Sequence, residues 1–168
     1  MKLLNNIIGD QSFGLIKGLS FNNIIEDVRQ IEKDGDCYEN ELPLYNLQCF
    51  PKLYNDKDVT YKFVYWFDDE TKKLTEINLF FHLTSDKVEN ITEDEYDSLI
   101  LKMKEAVIRE FNLKFLKEEK TKKNQEVMLF YETQLPTKNT EVVFMEWNED
   151  DYDSNTEKCF KIVWQLKY

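Results

Sequence analysis

The stretch VTYKFVYWFDDETKKLTEINLFFHL, residues 59–83, decides the fold. Val59, Tyr61, Phe63, Tyr65 and Phe67 face one way, and Thr60, Lys62, Val64, Trp66 and Asp68 face the other. That period of two is the mark of a strand with one face in a core. Asp68-Asp69-Glu70-Thr71-Lys72 is too polar to continue the strand and reads as a turn. The chain then returns with Thr75, Ile77, Leu79, Phe81 and Leu83 on one face, which completes a β-hairpin.

Working outward, the C-terminal third repeats the pattern. Val127, Leu129, Tyr131 and Leu135 share a face, Pro136 to Asn139 read as a turn, and Val142 and Phe144 alternate with Val143, Met145 and Trp147. Phe160, Ile162, Trp164 and Leu166 form a last alternating run, and a short strand is expected over Tyr45 to Phe50. Two segments switch to helical spacing. In the first, Phe21, Ile24, Ile25, Val28 and Ile31 recur with Ser20 as the expected N-cap and Gly35 as the stop. The second opens on Thr92-Glu93-Asp94-Glu95, a capping box, and carries Tyr96, Leu99, Ile100, Met103, Val107 and Phe111 to about Asn112. The predicted fold is therefore α+β, a single domain over residues 1–168 in the order α-β-β-β-α-β-β-β. Its mostly antiparallel sheet of about six strands carries both helices on one face. Ile24, Val28, Leu99, Met103, Val107 and Phe111 are expected in the core.

Composition narrows the chemistry. The chain has 168 residues and a net charge of −11, which opposes general binding to nucleic-acid phosphates. No apolar run approaches a membrane helix, and the stretch before Gly9 is too short for a signal-peptide core, so the expected home is the cytoplasm, away from membranes. Cys37, Cys49 and Cys159 are odd in number and widely spaced, and read as buried reduced thiols. With one histidine, His82, and no GxGxxG, P-loop, HExxH or EF-hand loop, the expectation is no metal, no cofactor and no catalytic residue.

Charge is distributed unevenly. Lys102 to Lys123 is locally basic, whereas Glu146 to Glu157 contains six acidic residues and no Lys or Arg. Asp68, Asp69 and Glu70 form a second acidic knot, and Glu26 to Glu41 a third. Acidic surface beside aromatic side chains suits a basic protein partner, because the charges speed encounter and the rings supply contact energy. The candidate partner-binding residues are therefore Trp66, Asp68, Asp69, Glu70, Trp147, Glu149, Asp150, Asp151, Tyr152 and Asp153.

Phe13-Gly14-Leu15-Ile16-Lys17-Gly18-Leu19-Ser20, followed by Ile24, Ile25 and Val28, resembles the opening of many small bacterial α+β proteins, several of them toxin-immunity proteins and others periplasmic inhibitor or envelope proteins. That resemblance covers about 20 residues and transfers no functional residues. It implies a non-enzymatic protein that binds and neutralises a cognate secreted or contact-delivered toxin domain, with a basic nuclease domain as one suitable toxin. The alternative reading is a non-enzymatic ligand-binding or scaffold module of bacterial or phage origin.

Overall fold

The computed structural model describes residues 8–10, 15–33, 36–40, 46–50, 60–83, 92–121, 126–133, 140–150 and 156–166. In chain order the elements are α1 (Ile25–Ile31), β1 (Asp36–Asn40), β2 (Asn46–Phe50), β3 (Thr60–Phe67), β4 (Leu74–Leu83), α2 (Glu93–Glu110), β5 (Leu113–Lys120), β6 (Val127–Thr133), β7 (Thr140–Asp150) and β8 (Thr156–Leu166). A 3₁₀ turn at Ile16–Gly18 precedes α1. The fold is α+β, with two helices and one antiparallel sheet.

The sheet has eight strands, not six, in the order β1-β2-β3-β4-β8-β7-β6-β5. Each helix is followed by a four-stranded meander, and the two meanders join where β4 pairs with β8. The two strands missing from the sequence expectation, β1 and β5, are the sheet's edges. Edge strands carry little alternation because only part of each is buried, and charge on them blocks pairing with other chains. From Lys114 on, β5 (LKFLKEEK) is exposed throughout, and a bulge between Phe115 and Lys117 bends it.

One face of the sheet packs under both helices. Tyr61, Phe63 and Tyr65 of β3, Ile77, Leu79 and Phe81 of β4, Val142 and Phe144 of β7, and Phe160, Ile162 and Trp164 of β8 are all buried there. Alternate positions on four strands supply them, so the period of two becomes a single layer of core. The α2 stripe closes on this layer through Tyr96, Ile100, Met103 and Val107. The Thr92 hydroxyl accepts from the Glu95 amide at 3.2 Å, and the Glu95 carboxylate accepts from the Thr92 amide at 2.9 Å, so the predicted capping box forms. Leu99 is only half-buried.

The first helix departs further from expectation. It begins at Ile25, and Ser20 does not cap it. Ser20 instead turns the chain, donating its amide and hydroxyl to Asn23 Oδ1 at 2.7 and 3.1 Å. Asp27 accepts from the Ile24 amide at 3.0 Å and supplies the N-terminal acceptor. Ile24 and Ile31 are consequently left exposed at 40% and 39%, while Ile25 and Val28 are buried. The next position on that buried stripe is occupied by a charge.

Glu32 is 6% exposed and meets two partners, the Lys17 ammonium and the Tyr65 hydroxyl. Lys17 stands on a left-handed backbone (φ 55°), followed by Gly18 in the same region, and its Nζ lies 3.8 Å from the Phe63 ring centroid. The carboxylate therefore ties the N-terminal segment and the end of α1 to β3. Burial holds the Lys17 ammonium below its ordinary pKa, opposed by the charge of Glu32. Burial, and then Glu32, push the Tyr65 hydroxyl well above 10.0.

The opposite face of the sheet is not bare. Val64, Asn78, Val143 and Val163 form a buried middle row. Lysines from neighbouring strands shield the aromatics beside it: Lys62 and Lys161 each lie 5.3 Å from the Phe80 centroid, and Lys117 lies 4.5 Å from that of Phe130. The cysteine expectation needs correcting. Cys37 and Cys49 face each other across β1 and β2 and form a disulfide, and Cys159 is buried outside it. Spacing in sequence could not show this, because the strand pairing that brings the two together is set by β1, which has no legible pattern. No helix among the described residues is long and apolar enough to cross a membrane.

Two stability predictions follow from this packing. Lys17→Met strands Glu32 in the core and should lower the unfolding free energy by about 3–5 kcal/mol in urea melts, whereas Lys17→Met combined with Glu32→Leu should recover most of the loss. Equal losses in the single and double variants would show that the two charges are not coupled. Replacing Cys37 and Cys49 by Ala should cost about 2–3 kcal/mol, with the gap from the parent closing when a reductant is added.

Candidate functional site

The two acidic-aromatic clusters do not form one surface. The Asp68–Lys73 turn joins the end of β3 to the start of β4, while residues 151–155 join the end of β7 to the start of β8. Because β4 and β8 run antiparallel, with Glu76 opposite Gln165 and Leu83 opposite Lys158, the Asp68 turn and the paired ends of β7 and β8 at Asp150 and Thr156 lie at opposite ends of the sheet. The length of β4 separates them, about 30 Å at the usual strand rise.

At the first end, Asp68 works inside its own turn. Its Oδ1 accepts from the Thr71 amide at 2.7 Å and from the Glu70 amide at 3.2 Å, and its pKa is lowered chiefly by the Thr71 backbone bond. Lys72 takes the left-handed conformation that closes the loop (φ 57°). Asp69 and Glu70 are exposed. Trp66 is half-buried on the sheet face away from the helices, between Asn46 and Glu76 on the adjoining strands. This end is a well-closed hairpin.

The second end holds more. Trp147 lies on β7 and is half-buried, and Glu149 and Asp150 continue the strand past it opposite Glu157 and Thr156. Only the strand placement of Glu149 and Asp150 is described, and Asp151, Tyr152 and Asp153 lie outside the described residues. Between α2 and the strands at this end is a cleft of about 340 Å³. Tyr96, Ile100, Val127 and Phe160 line it from the helix side of the sheet, whereas Trp147 only borders it, because the β7 alternation puts its side chain on the opposite face with Val143 and Met145. Three charged side chains reach it: Asp97, Lys104 and Glu146. Lys104 pairs with Glu146 across the helix–sheet gap, and its Nζ lies 5.4 Å from the Phe160 centroid. Burial lowers the Lys104 pKa, and the charge of Asp97 opposes that shift. The Tyr96 hydroxyl is pushed up by burial and donates to the Phe81 carbonyl at 3.5 Å.

Of the expected partner-binding residues, Trp147 borders the cleft with its side chain on the opposite sheet face, and Glu149 and Asp150 continue β7 just beyond it. Asp97, Lys104 and Glu146 were missed. Asp97 and Lys104 sit seven residues apart on α2, two helical turns along one flank of the apolar stripe. Their spacing is a legible signal. Nothing in the sequence shows that Glu146, from a distant strand, would meet that flank.

The cleft is rimmed by the Asp97 and Glu146 carboxylates and the Lys104 ammonium. Among the described residues, no cluster of three or more His, Cys, Asp or Glu side chains could hold a metal ion. His82 pairs through its backbone with Thr60 and Cys159. No protein-family model matches the chain, and comparison with curated proteins and with solved structures returns no significant match.

The Asp68 turn gives a pH test. A folded-state pKa below the ordinary 3.8 contributes stability that is complete above about pH 4 and lost as pH falls through the folded value. Thermal melts from pH 6 down to pH 2 should therefore show a shallower acid loss for Asp68→Asn than for the parent. Parallel acid limbs would mean the turn bonds carry no net charge preference.

Proposed function

We propose that this chain is a bacterial immunity protein that binds a cognate toxin domain and blocks it, without catalysis of its own. The observation that carries the reading is the meeting, at one end of the sheet, of the cleft with acidic chain on both sides. Glu93, Asp94 and Glu95 open α2 on one side, and Glu149 and Asp150 end β7 on the other. The overall charge of −11 adds long-range attraction for a basic partner, such as a nuclease domain with a positive substrate cleft.

The place of action in this proposal is the cytoplasm, where thiols are kept reduced. Cys37–Cys49 would then stand open in the cell and close on isolation. Thiol trapping in freshly lysed cells decides the matter: a cross-link already present would move the protein to an oxidising compartment.

The central test uses the toxin-like domain encoded beside the gene. Cells expressing that domain should survive only when this chain is co-expressed, and an equimolar amount should abolish the domain's activity in vitro. Replacing Asp150 and Asp151 by Lys should slow association by about tenfold at low salt and by less at high salt. Survival without the chain, or no inhibition in vitro, would remove the immunity reading. Unchanged association rates would remove this end of the sheet as the binding face.

A further inference from the structure

We propose that the Cys37–Cys49 disulfide is a redox clasp on one edge of the sheet. Closed, it holds β1 against β2. Opened by a thiol reductant, it lets β1 detach while β2 to β8 stay paired. This goes beyond the binding role proposed above and does not depend on it.

The argument rests on where the core stops. As the outermost strand, β1 has a sheet neighbour on one side, β2. Its sequence, Asp-Cys-Tyr-Glu-Asn, holds three residues of types depleted in strands, Asp36, Glu39 and Asn40. Cys37 is half-buried, and the other four residues are exposed, Tyr38 at 62%. Ordering a strand costs backbone entropy that buried apolar surface normally offsets, and β1 brings little of it. Its ion pair with α1, between Glu39 and Arg29, lies near the surface, where such pairs contribute little. From β2 inward the balance reverses. Leu47 and Cys49 of β2, Phe63 and Tyr65 of β3, and Ile77 and Leu79 of β4 are all fully buried. The boundary between strands anchored by the core and a strand that is not falls between β1 and β2. The disulfide crosses that boundary, joining half-buried Cys37 to fully buried Cys49 directly opposite it.

The chemistry is thiol–disulfide exchange with a low-molecular-weight thiol or a dithiol as the reductant. Of the two sulfurs, that of Cys37 belongs to the less buried residue and faces the attack. A thiolate bonds to it, the S–S bond breaks, and the electron pair leaves on Cys49, which takes up a proton. A second thiolate then attacks the reductant's sulfur in the mixed disulfide. Cys37 departs as a thiolate and is protonated, and the reductant leaves as its own disulfide. Without the cross-link β1 has only its ladder and surface contacts to hold it. Its departure opens the outer backbone edge of β2, which is then free to accept another strand.

The test is NMR on the full chain, closed with oxidised glutathione and then opened with dithiothreitol, the thiol state being read from the intact mass. In the open form the cross-strand NOEs between β1 and β2 should disappear and the shifts of residues 36–40 should move to random-coil values. NOEs joining β3 to β4 and β4 to β8 should persist. Cys37→Ser, which removes the cross-link and leaves the buried Cys49 in place, should show the detached β1 without reductant and should not respond to dithiothreitol. Four results would each overturn the inference: β1–β2 NOEs that survive with both thiols free, loss of NOEs across the whole sheet, a Cys37→Ser variant with β1 still docked, or failure of oxidised glutathione to close the bond.

Discussion

The pairing of β4 with β8 is the constraint on which the rest of the molecule depends. Each helix-plus-meander half ends in a strand that would otherwise be an open edge, and these two edges satisfy one another over eight residue pairs, from Glu76 with Gln165 to Leu83 with Lys158. The same pairing sets Ile77 beside Trp164, Leu79 beside Ile162 and Phe81 beside Phe160, so the densest part of the core straddles the junction. Phe81 and Phe160 stack with centroids 6.0 Å apart, and Phe160 continues the stack to Phe144 at 6.2 Å. The partners are about 80 residues apart in sequence, so their contact closes a long loop. It is made only when both halves can contribute apolar surface at once.

Within that frame, the buried carboxylate of Glu32 fixes how the N-terminal segment and α1 sit on the first half. A charge taken from water is costly unless its hydrogen-bonding capacity is met, and Lys17 and Tyr65 meet it from two different elements. An apolar residue at this position would tolerate several packings of a seven-residue helix. The triad accepts one, because the ammonium must reach the carboxylate while lying over Phe63. Lys17 needs a left-handed backbone to do so, and Gly9 is the close neighbour that leaves room. A Cβ on Gly9 would come within 3.3 Å of the Lys17 Cα.

The two helices place different chemistry at different depths. On α1 the charge is sealed inside the core and organises structure. On α2 the charges at Asp97 and Lys104 flank the buried stripe and open toward a cleft. The polar groups at the Asp68 turn are spent on the backbone of that turn. Acidity in the sequence therefore divides into a buried organiser, a turn-former and a surface near the cleft.

Strict alternation in residues 59–83, 127–133 and 160–166, and the capping box at Thr92, were legible because each element reports its own burial locally. A half-buried strand must alternate, and a helix that opens in solvent needs acceptors for its first amides. The α+β class and four of the six expected core residues, Val28, Met103, Val107 and Phe111, followed from those local rules. The edge strands β1 and β5 did not, since an edge is defined by what fails to cover it. Ile24 was misplaced because the turn at Ser20–Asn23 delays the helix start, and that turn is held partly by the Leu74 amide on a distant hairpin. The Cys37–Cys49 bond, the burial of Glu32 and the meeting of Asp97, Lys104 and Glu146 at one cleft likewise arise between elements. Sequence fixes which side chains each element can offer. Only the long-range pairing of β4 with β8, and the register it imposes, decides which of them meet.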